Sequence, residues 1–304
     1  MNTNLKNAKK NKNDEFYTRL ADIENEVKHY KPHFEGKIVY CNCDDPEWSN
    51  FFIYFRDNFK HLKLQKLIST HYTTDATNDK AYKLECVEIS NENGIPVEKK
   101  TFLQGDGDFR SEECIALLKE SDIVCTNPPF SLFREYVDQL IKHNKQFLII
   151  GSQNAITYKA VFNFIRGNIL WLGVSKPKEF MQPNQTIKVF GNICWYTNLQ
   201  HKRRNEKLLL WKDYDEKEHP NYDNYDAIDV PKVAEIPSNF DGYMGVPITF
   251  LDKYNPEQFD ILGIMNTGEE NIGIRLQNTK HGRPVVNGVE KYLRIIIKRK
   301  NNEN

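Results

Sequence analysis

The residues best placed to do chemistry are Asn127-Pro128-Pro129-Phe130, which follow the apolar run Ile123-Val124-Cys125-Thr126. Two consecutive prolines fix φ and remove two backbone donors, so the turn is stiff and its carbonyls are left to accept. Pro128 also biases Asn127 toward extended geometry. The Asn127 side-chain oxygen and the Pro128 carbonyl can then converge as two acceptors, with the Phe130 ring beside them. Two acceptors aimed at one point suit an exocyclic NH2, which offers two donors, and an aromatic face suits the ring that bears it. This describes a pocket for a nucleobase taken out of its stack. The bland alternative, a Pro-Pro turn that only ends a strand, loses ground because a strand precedes the tetrapeptide and a capped helix follows it.

The surrounding pattern predicts the elements that hold this turn. Short apolar strands are expected at Lys37–Tyr40, Lys66–Thr70, Ile123–Thr126 and Gln146–Ile150. Three- and four-residue spacing predicts helices over Asp14–Tyr30, Phe51–Phe59 and Ser111–Lys119, the last with Ser111 as N-cap and Glu112 and Glu113 in its first turn. Ser131 is expected to cap a further helix carrying Leu132, Phe133, Tyr136, Val137 and Leu140. The polar stretch Asp75–Gln104, with Asn-Gly at 93–94, reads as a loop or hairpin insertion. Strands alternating with helices indicate a doubly wound α/β fold with a mostly parallel sheet, whose ligands sit at the carboxyl edge. Beyond residue 170 short runs broken by Pro, Gly and Asn predict a smaller β-rich lobe over Trp171–Tyr214.

The chain has 304 residues and balanced charge, 42 Lys+Arg against 42 Asp+Glu, yet the charges are segregated. Residues 1–13 hold Lys6, Lys9, Lys10 and Lys12 and no acid; Ile156–Asp213 has ten basic residues against three acidic, including Lys202-Arg203-Arg204. Tyr214–Asp260 reverses to three against eleven, and the remainder is basic again, eight against four. Such blocks fit either a polyanion-binding surface or a solvated face beside an acidic one. No apolar run approaches the ~20 residues that span a bilayer, and the polar N-terminus lacks a signal-peptide core, so a cytoplasmic protein is expected. Six cysteines without ligand or disulfide spacing read as buried thiols of a reducing compartment, and the histidines suggest no metal.

With these residues in view, the chain resembles the EcoRI-type adenine-N6 DNA methyltransferases. The likeness is carried by KNDEFYTRLADIENE at 12–26, KIVYCNCDDPEWSNFF at 37–52, the stretch from Gly105 through Asn127-Pro128-Pro129-Phe130 to Lys142, YDNYDAIDV at 222–230 and DGYMGVPITFLDKYNPEQF at 241–259. It is weakest at 72–104, 152–215 and Leu262–Tyr292. The resemblance implies S-adenosyl-L-methionine as cofactor and a Rossmann-like methyltransferase sheet. It assigns Asn127, Pro128, Pro129 and Phe130 to catalysis by acceptance of the adenine amino group. It places Asp14, Phe16, Tyr17 and Thr18 at the methionine end of the cofactor, and Cys41, Asn42, Asp44, Asp45 and Pro46 where related enzymes carry a Gly-rich turn. No glycine lies between Gly36 and Gly94, so Cys and Asn replace that turn. Asp108 is implied as acceptor of the cofactor's adenine amino group, with the Phe109 ring on that base. The end of the second strand, Ser69-Thr70-His71, lacks the acid that often holds the ribose, and that contact has no assigned residue.

The implied organisation is a basic arm at 1–13, a catalytic domain at 14–170, and a target-recognition lobe at 171–304 whose last segments pack back on the catalytic domain. Lys9, Lys10, Lys12, Lys202, Arg203 and Arg204 are the candidate DNA contacts. Tyr222 and Tyr225 are expected to pack against the catalytic lobe. Double-stranded DNA is the implied partner, with a cognate restriction endonuclease as a second and a monomeric state for the enzyme. Methylation of RNA or protein glutamine, and a non-catalytic DNA-binding role, stay open at this point.

Overall fold

The computed structural model describes residues 17–43, 45–73, 79–89, 96–181, 186–265 and 282–300. They fall into two compact units, one comprising residues up to Ala155 with Leu172–Gln200, the other Ile156–Trp171 with His201 onward.

In the first unit the strands are β1 (Tyr17–Thr18), β2 (Ile38–Cys41), β3 (Lys66–His71), β4 (Tyr82–Ile89), β5 (Pro96–Phe102), β6 (Ile123–Thr126), β7 (Gln146–Ser152), β8 (Trp171–Leu172), β9 (Glu179–Met181), β10 (Ile187–Val189) and β11 (Ile193–Thr197). The helices are α1 (Leu20–Val27), α2 (Lys31–Phe34), α3 (Asn50–Asp57), α4 (Glu112–Glu120) and α5 (Phe133–Lys142). The main sheet has eight strands in the order β5-β4-β3-β2-β6-β7-β11-β8. Its centre, β3-β2-β6-β7, is parallel, and the β4–β5 hairpin and β11 add antiparallel strands on its two flanks. The central strands are buried almost throughout, as expected of a parallel sheet covered on both faces. The strand order reverses between β2 and β6, so the loops after these two strands diverge and leave a crevice at their carboxyl ends.

The helices cover the sheet with the faces their spacing dictates. In α3 the buried residues are Phe51, Phe52, Tyr54 and Phe55, and the Ser49 hydroxyl accepts from the Phe51 N–H at 3.1 Å. In α5 they are Phe133, Tyr136, Val137 and Leu140, a stripe at steps of three and four residues. Ser111 caps α4 by accepting from the Cys114 N–H, as expected.

Three expectations change. Tyr17–Thr18 is not helical; it pairs antiparallel with β9, and the helix begins only at Leu20. A strand from 160 residues downstream takes these two residues, a contact that local periodicity does not register. The return is anchored by Glu26, whose buried carboxylate accepts from Val174 N at 2.7 Å, Ser175 N at 2.6 Å and the Tyr30 hydroxyl at 2.7 Å. Second, Ser131 caps nothing. Phe130–Leu132 forms a single 3-10 turn in which Leu132 N donates to the Pro129 carbonyl at 2.9 Å, and α5 starts at Phe133. Third, Trp171–Tyr214 is not a separate β lobe. β11 pairs with β7 along its whole length, five buried residues that extend the main sheet, so the two units divide differently from 14–170 and 171–304.

The second unit holds α6 (Lys159–Arg166), β12 (Ile228–Asp229), β13 (Met244–Pro247), β14 (Phe259–Met265), β15 (Val285–Val286), β16 (Val289–Glu290) and β17 (Arg294–Arg299). Four strands form a sheet in the order β12-β13-β17-β14, and β15–β16 is a separate ribbon. Tyr222 and Tyr225, expected against the catalytic lobe, are buried in this unit's own core with Met265, Val286 and Ile296. The Tyr222 hydroxyl donates to the buried Asp229 carboxylate at 2.5 Å, and Arg294 Nε donates to the same oxygen at 3.1 Å. Burial, then the Asp229 charge, pushes the Tyr222 phenol far above its ordinary range.

Gly151 on β7 shows how tightly α5 is seated. A Cβ there would lie 2.4 Å from Phe133 Cε2 and 3.0 Å from Tyr196 Cε2, and both rings are buried. Gly151→Ala is expected to lower stability by about 1–3 kcal/mol through overpacking, read as a shift of the urea midpoint at constant m-value; an unchanged midpoint would mean that Phe133 is not held against the sheet.

Candidate active site

β2 and β6 run side by side, with Val39 opposite Ile123 and Tyr40 opposite Val124. Their carboxyl ends are then tied by one hydrogen bond, from Cys43 N–H to Thr126 Oγ1 at 3.2 Å. That bond joins the turn after β2 to the residue just before Asn127. Pro128 is buried, and Asn127, Pro129 and Phe130 are half-buried. The Asn127 Oδ1 atom is shielded from bulk solvent, and Phe130 packs against the main core. All four residues of the tetrapeptide therefore sit together at the crevice between β2 and β6.

The turn after β2 divides its labour. Cys41 buries its side chain in the core, and its carbonyl accepts from Ser69 Oγ at 2.9 Å; the thiol is a strand residue, which leaves only its backbone for a ligand. Asn42 is 3% exposed. Its Oδ1 accepts from the Tyr136 hydroxyl, whereas its Nδ2 is buried with no hydrogen-bond partner among the described residues. Asp45 accepts from Glu47 N–H at 3.0 Å and meets His71 Nδ1 at 2.8 Å. Pro46 is buried; with Glu47 it also lines a cavity of about 440 Å³ whose charged groups are already paired, Lys100 with Glu47 and Arg56 with Glu98. In β1, Thr18 Oγ1 is likewise buried with no partner among the described residues, while its carbonyl accepts from Asn50 Nδ2 at 2.7 Å.

The loop at 105–110 is pressed onto the end of β3. Gly107 has φ +80°, and a Cβ there would lie 2.4 Å from the His71 carbonyl oxygen. Thr73 N–H donates to the Asp106 carbonyl at 2.8 Å. Asp108 takes the Arg110 guanidinium in a fork, Nε at 2.8 Å and Nη2 at 2.6 Å; these hydrogen bonds push Arg110 above its ordinary value. Asp108 Oδ1 also accepts from the Arg110 backbone N–H at 2.8 Å, so both its lone pairs are taken and the role implied for Asp108 would fall to Oδ2. Phe109 is buried and meets Tyr136 edge-on, with centroids 5.1 Å apart at 76°.

One element of the site has no signature in the sequence. His71 at the end of β3 lies between two carboxylates, Asp45 on Nδ1 and Asp79 on Nε2 at 2.9 Å, and stacks on Tyr82 at 4.8 Å. Asp79, eight residues beyond His71, thus brings an acid to the end of β3. Its spacing follows no recurrent pattern, so no reading of the sequence singles it out.

Asp14, Phe16, Asp44, Lys9, Lys10 and Lys12 lie outside the described residues, and Tyr17 is described only in its backbone. Lys202 is exposed and Arg203 half-exposed. Arg204 departs from its expected role as a DNA contact. It is 6% exposed, its guanidinium lies 3.8 Å from the Trp171 ring centroid, and Nη2 donates to Asn168 Oδ1 at 2.9 Å. Burial pulls its pKa below the ordinary value. The cation braces the second unit's core and is not free to reach a phosphate.

Comparison with known proteins adds a family to this geometry. Residues 4–300 match the model of the adenine-specific methyltransferase EcoRI family. The chain is similar to the Type II methyltransferase M.EcoRI of Escherichia coli, 45% identical over 97% of this chain and 96% of that protein. It is also similar to the Type II methyltransferases M.MgeORF184P of Mycoplasma genitalium and M.MpnI of Mycoplasma pneumoniae. Each is 37% identical, over 96% and 97% of this chain and 97% and 98% of the relative. No solved structure matches the chain.

Two substitutions test the geometry. Gly107→Ala is expected to cost more than about 1 kcal/mol, since it combines a positive φ with a backbone clash, and to speed hydrogen exchange at the Thr73 amide, whose acceptor sits on the displaced loop. Arg204→Gln is expected to lower the melting temperature while leaving the salt dependence of DNA binding unaltered; a shallower salt slope would restore Arg204 as a phosphate contact.

Proposed function

Because the chain belongs to the EcoRI family of adenine-specific methyltransferases, we infer that it is a site-specific DNA adenine methyltransferase. The observation that carries the chemistry is the Asn127-Pro128-Pro129-Phe130 turn at the end of β6, tied across the crevice to the turn after β2. On this reading the sheet is a Rossmann-like methyltransferase sheet, with β11 as its antiparallel addition.

The methyl donor of the proposal is S-adenosyl-L-methionine, and the residues present fit it. Among the described residues Asn42 Nδ2 and Thr18 Oγ1 are buried polar atoms without partners, an expense of about 1–3 kcal/mol each that a polar ligand would offset. Gly107 gives the chain its close approach beside β3, and Phe109 supplies an apolar ring. Thr18, Asn42, Asp45 and Asp108 would hold the polar parts of the cofactor, together with Asp14, Phe16, Tyr17 and Asp44. The His71–Asp79 pair at the end of β3 would supply the ribose contact. When bound, the cofactor supplies an electrophilic methyl carbon on a sulfonium.

The rest is done by side chains and backbone. An adenine amino group is a poor nucleophile because its lone pair is delocalised into the ring. Acceptance of both its N–H bonds, by Asn127 Oδ1 and the Pro128 carbonyl, draws the nitrogen toward tetrahedral geometry and localises that lone pair. Phe130 stacks on the everted base and offsets part of the few kcal/mol that extrusion costs. Pro128 and Pro129 hold the turn so that little reorganisation is left to the reaction itself. The second unit, with Lys202 and Arg203, is the proposed reader of the target, and the lysines of residues 1–13 add sequence-independent attraction to phosphates. A restriction endonuclease with the same site is the proposed companion of an enzyme that acts as a monomer.

Asn127→Ala is expected to lower kcat for N6-methyladenine formation about 10²–10³-fold, the scale of removing one preorganised hydrogen-bonding group, with S-adenosylhomocysteine affinity changed less than about threefold. Full activity in that variant would end the proposal, and preferential methylation of RNA or a protein amide by the wild-type chain would redirect it. Replacing Lys6, Lys9, Lys10 and Lys12 by Ala is expected to weaken binding to all DNA sequences alike and flatten the plot of log K against log salt, by up to about 0.9 per lost phosphate contact. An unchanged slope would exclude the arm.

A further inference from the structure

We propose that Tyr136, on the helix that follows the catalytic turn, is a positioning residue for the methyl-donor pocket. It acts through Asn42 and Phe109 and needs no contact of its own with either substrate. The proposal rests on the reading of this site as a methyl-donor pocket, and it adds a residue that neither the motifs nor the family likeness singles out.

Tyr136 is 1% exposed and lies one turn into α5, three residues after Phe133. Its hydroxyl donates to Asn42 Oδ1. A carboxamide is planar, and its two ends exchange by rotation about a soft torsion. Occupying Oδ1 therefore decides where Nδ2 points. With Tyr136 in place the oxygen faces α5, and the amide donor is turned to the opposite side, where no acceptor among the described residues meets it. A buried donor without an acceptor is costly. Here the position after β2 at the crevice supplies the reason: the acceptor belongs to the ligand, as an oxygen or a ring nitrogen.

The same face of α5 grips the neighbouring loop. The Tyr136 ring meets the Phe109 ring edge-on at 5.1 Å, and Gln139, one turn further along, donates from Nε2 to the Phe109 carbonyl at 3.0 Å. Residues three apart on a helix share a face. One face of α5 thus holds the amide after β2 and the ring and backbone at 109, while the start of the helix is joined through Phe130–Leu132 to the turn that receives the target amine. The helix is a rigid spacer between the donor side and the acceptor side of the reaction, and Tyr136 is its contact with the donor side.

The test is a double-mutant cycle read by calorimetric titration with S-adenosylhomocysteine and by steady-state kinetics on duplex DNA. Tyr136→Phe keeps the ring and its contact with Phe109 and removes only the hydroxyl. It is expected to raise Kd for S-adenosylhomocysteine and KM for S-adenosylmethionine about five- to tenfold, with kcat at saturation and DNA affinity within about twofold and the melting temperature little changed. Asn42→Ala is expected to raise the same constants at least as much, and Tyr136→Phe added to Asn42→Ala is expected to raise them no further, because the hydroxyl acts only through the amide. Losses that multiply in the double variant, a silent Tyr136→Phe, or an effect confined to kcat would each overturn the proposal. A wild-type chain that binds no S-adenosylhomocysteine overturns the donor-pocket reading as well. Tight binding and active methylation by wild type, beside a silent Tyr136→Phe, remove Tyr136 alone.

Discussion

The parallel pairing of β2 with β6 is the constraint on which the site depends. It sets residues about eighty positions apart side by side at the point where the strand order reverses. The Cys43–Thr126 hydrogen bond then closes the pair at its carboxyl end. A turn rigid by virtue of two prolines is useful only if its acceptors face a fixed point, and that point is defined by the other strand. Shifting this pair by one residue would turn Thr126 away from Cys43 and turn the core-facing Cys41 outward, because side chains alternate along a strand.

Around that pair the polar groups divide by how completely they are satisfied. Several groups that serve the fold are well satisfied: Glu26 takes three donors, Asp229 takes Tyr222 and Arg294, and Ser69 donates to Cys41. Among the described residues Asn42 and Thr18 each keep a buried atom unsatisfied, as do Gln153, Ser175 and Trp195; of these, Asn42 lies in the turn after β2. A group meant for a ligand must be held by other contacts beforehand, and the Asn42 amide is held in that way by the Tyr136 hydroxyl.

The second unit shows the complementary lesson about charge. A run of three basic residues, Lys202-Arg203-Arg204, reads as a phosphate-binding cluster, yet Arg204 turns inward over Trp171. A guanidinium is weakly hydrated and flat, so it can be buried against an aromatic face at a cost an ammonium would not match. Net basic character along a stretch of chain therefore overstates the charge presented to a partner by whatever portion the core recruits.

Much of this protein was legible from residue order alone. The strands at Ile38, Lys66, Ile123 and Gln146, the capped helix at Ser111, and the diproline turn are all local facts: apolar runs, capping side chains and fixed φ values act over a few residues and leave their mark in spacing. The family likeness extended that reading across nearly the whole chain. The tertiary structure alone decided the rest. It drew Tyr17–Thr18 into a strand with Glu179–Met181, added Ile193–Thr197 to the main sheet, buried Arg204, brought Asp79 to His71 and set the Tyr136 hydroxyl on Asn42. Each of these is a contact between segments far apart in the chain or joined by an irregular loop, and the partner that determines such a contact has no fixed distance in sequence. Periodicity can say which face of an element is buried; only the packed fold says against what.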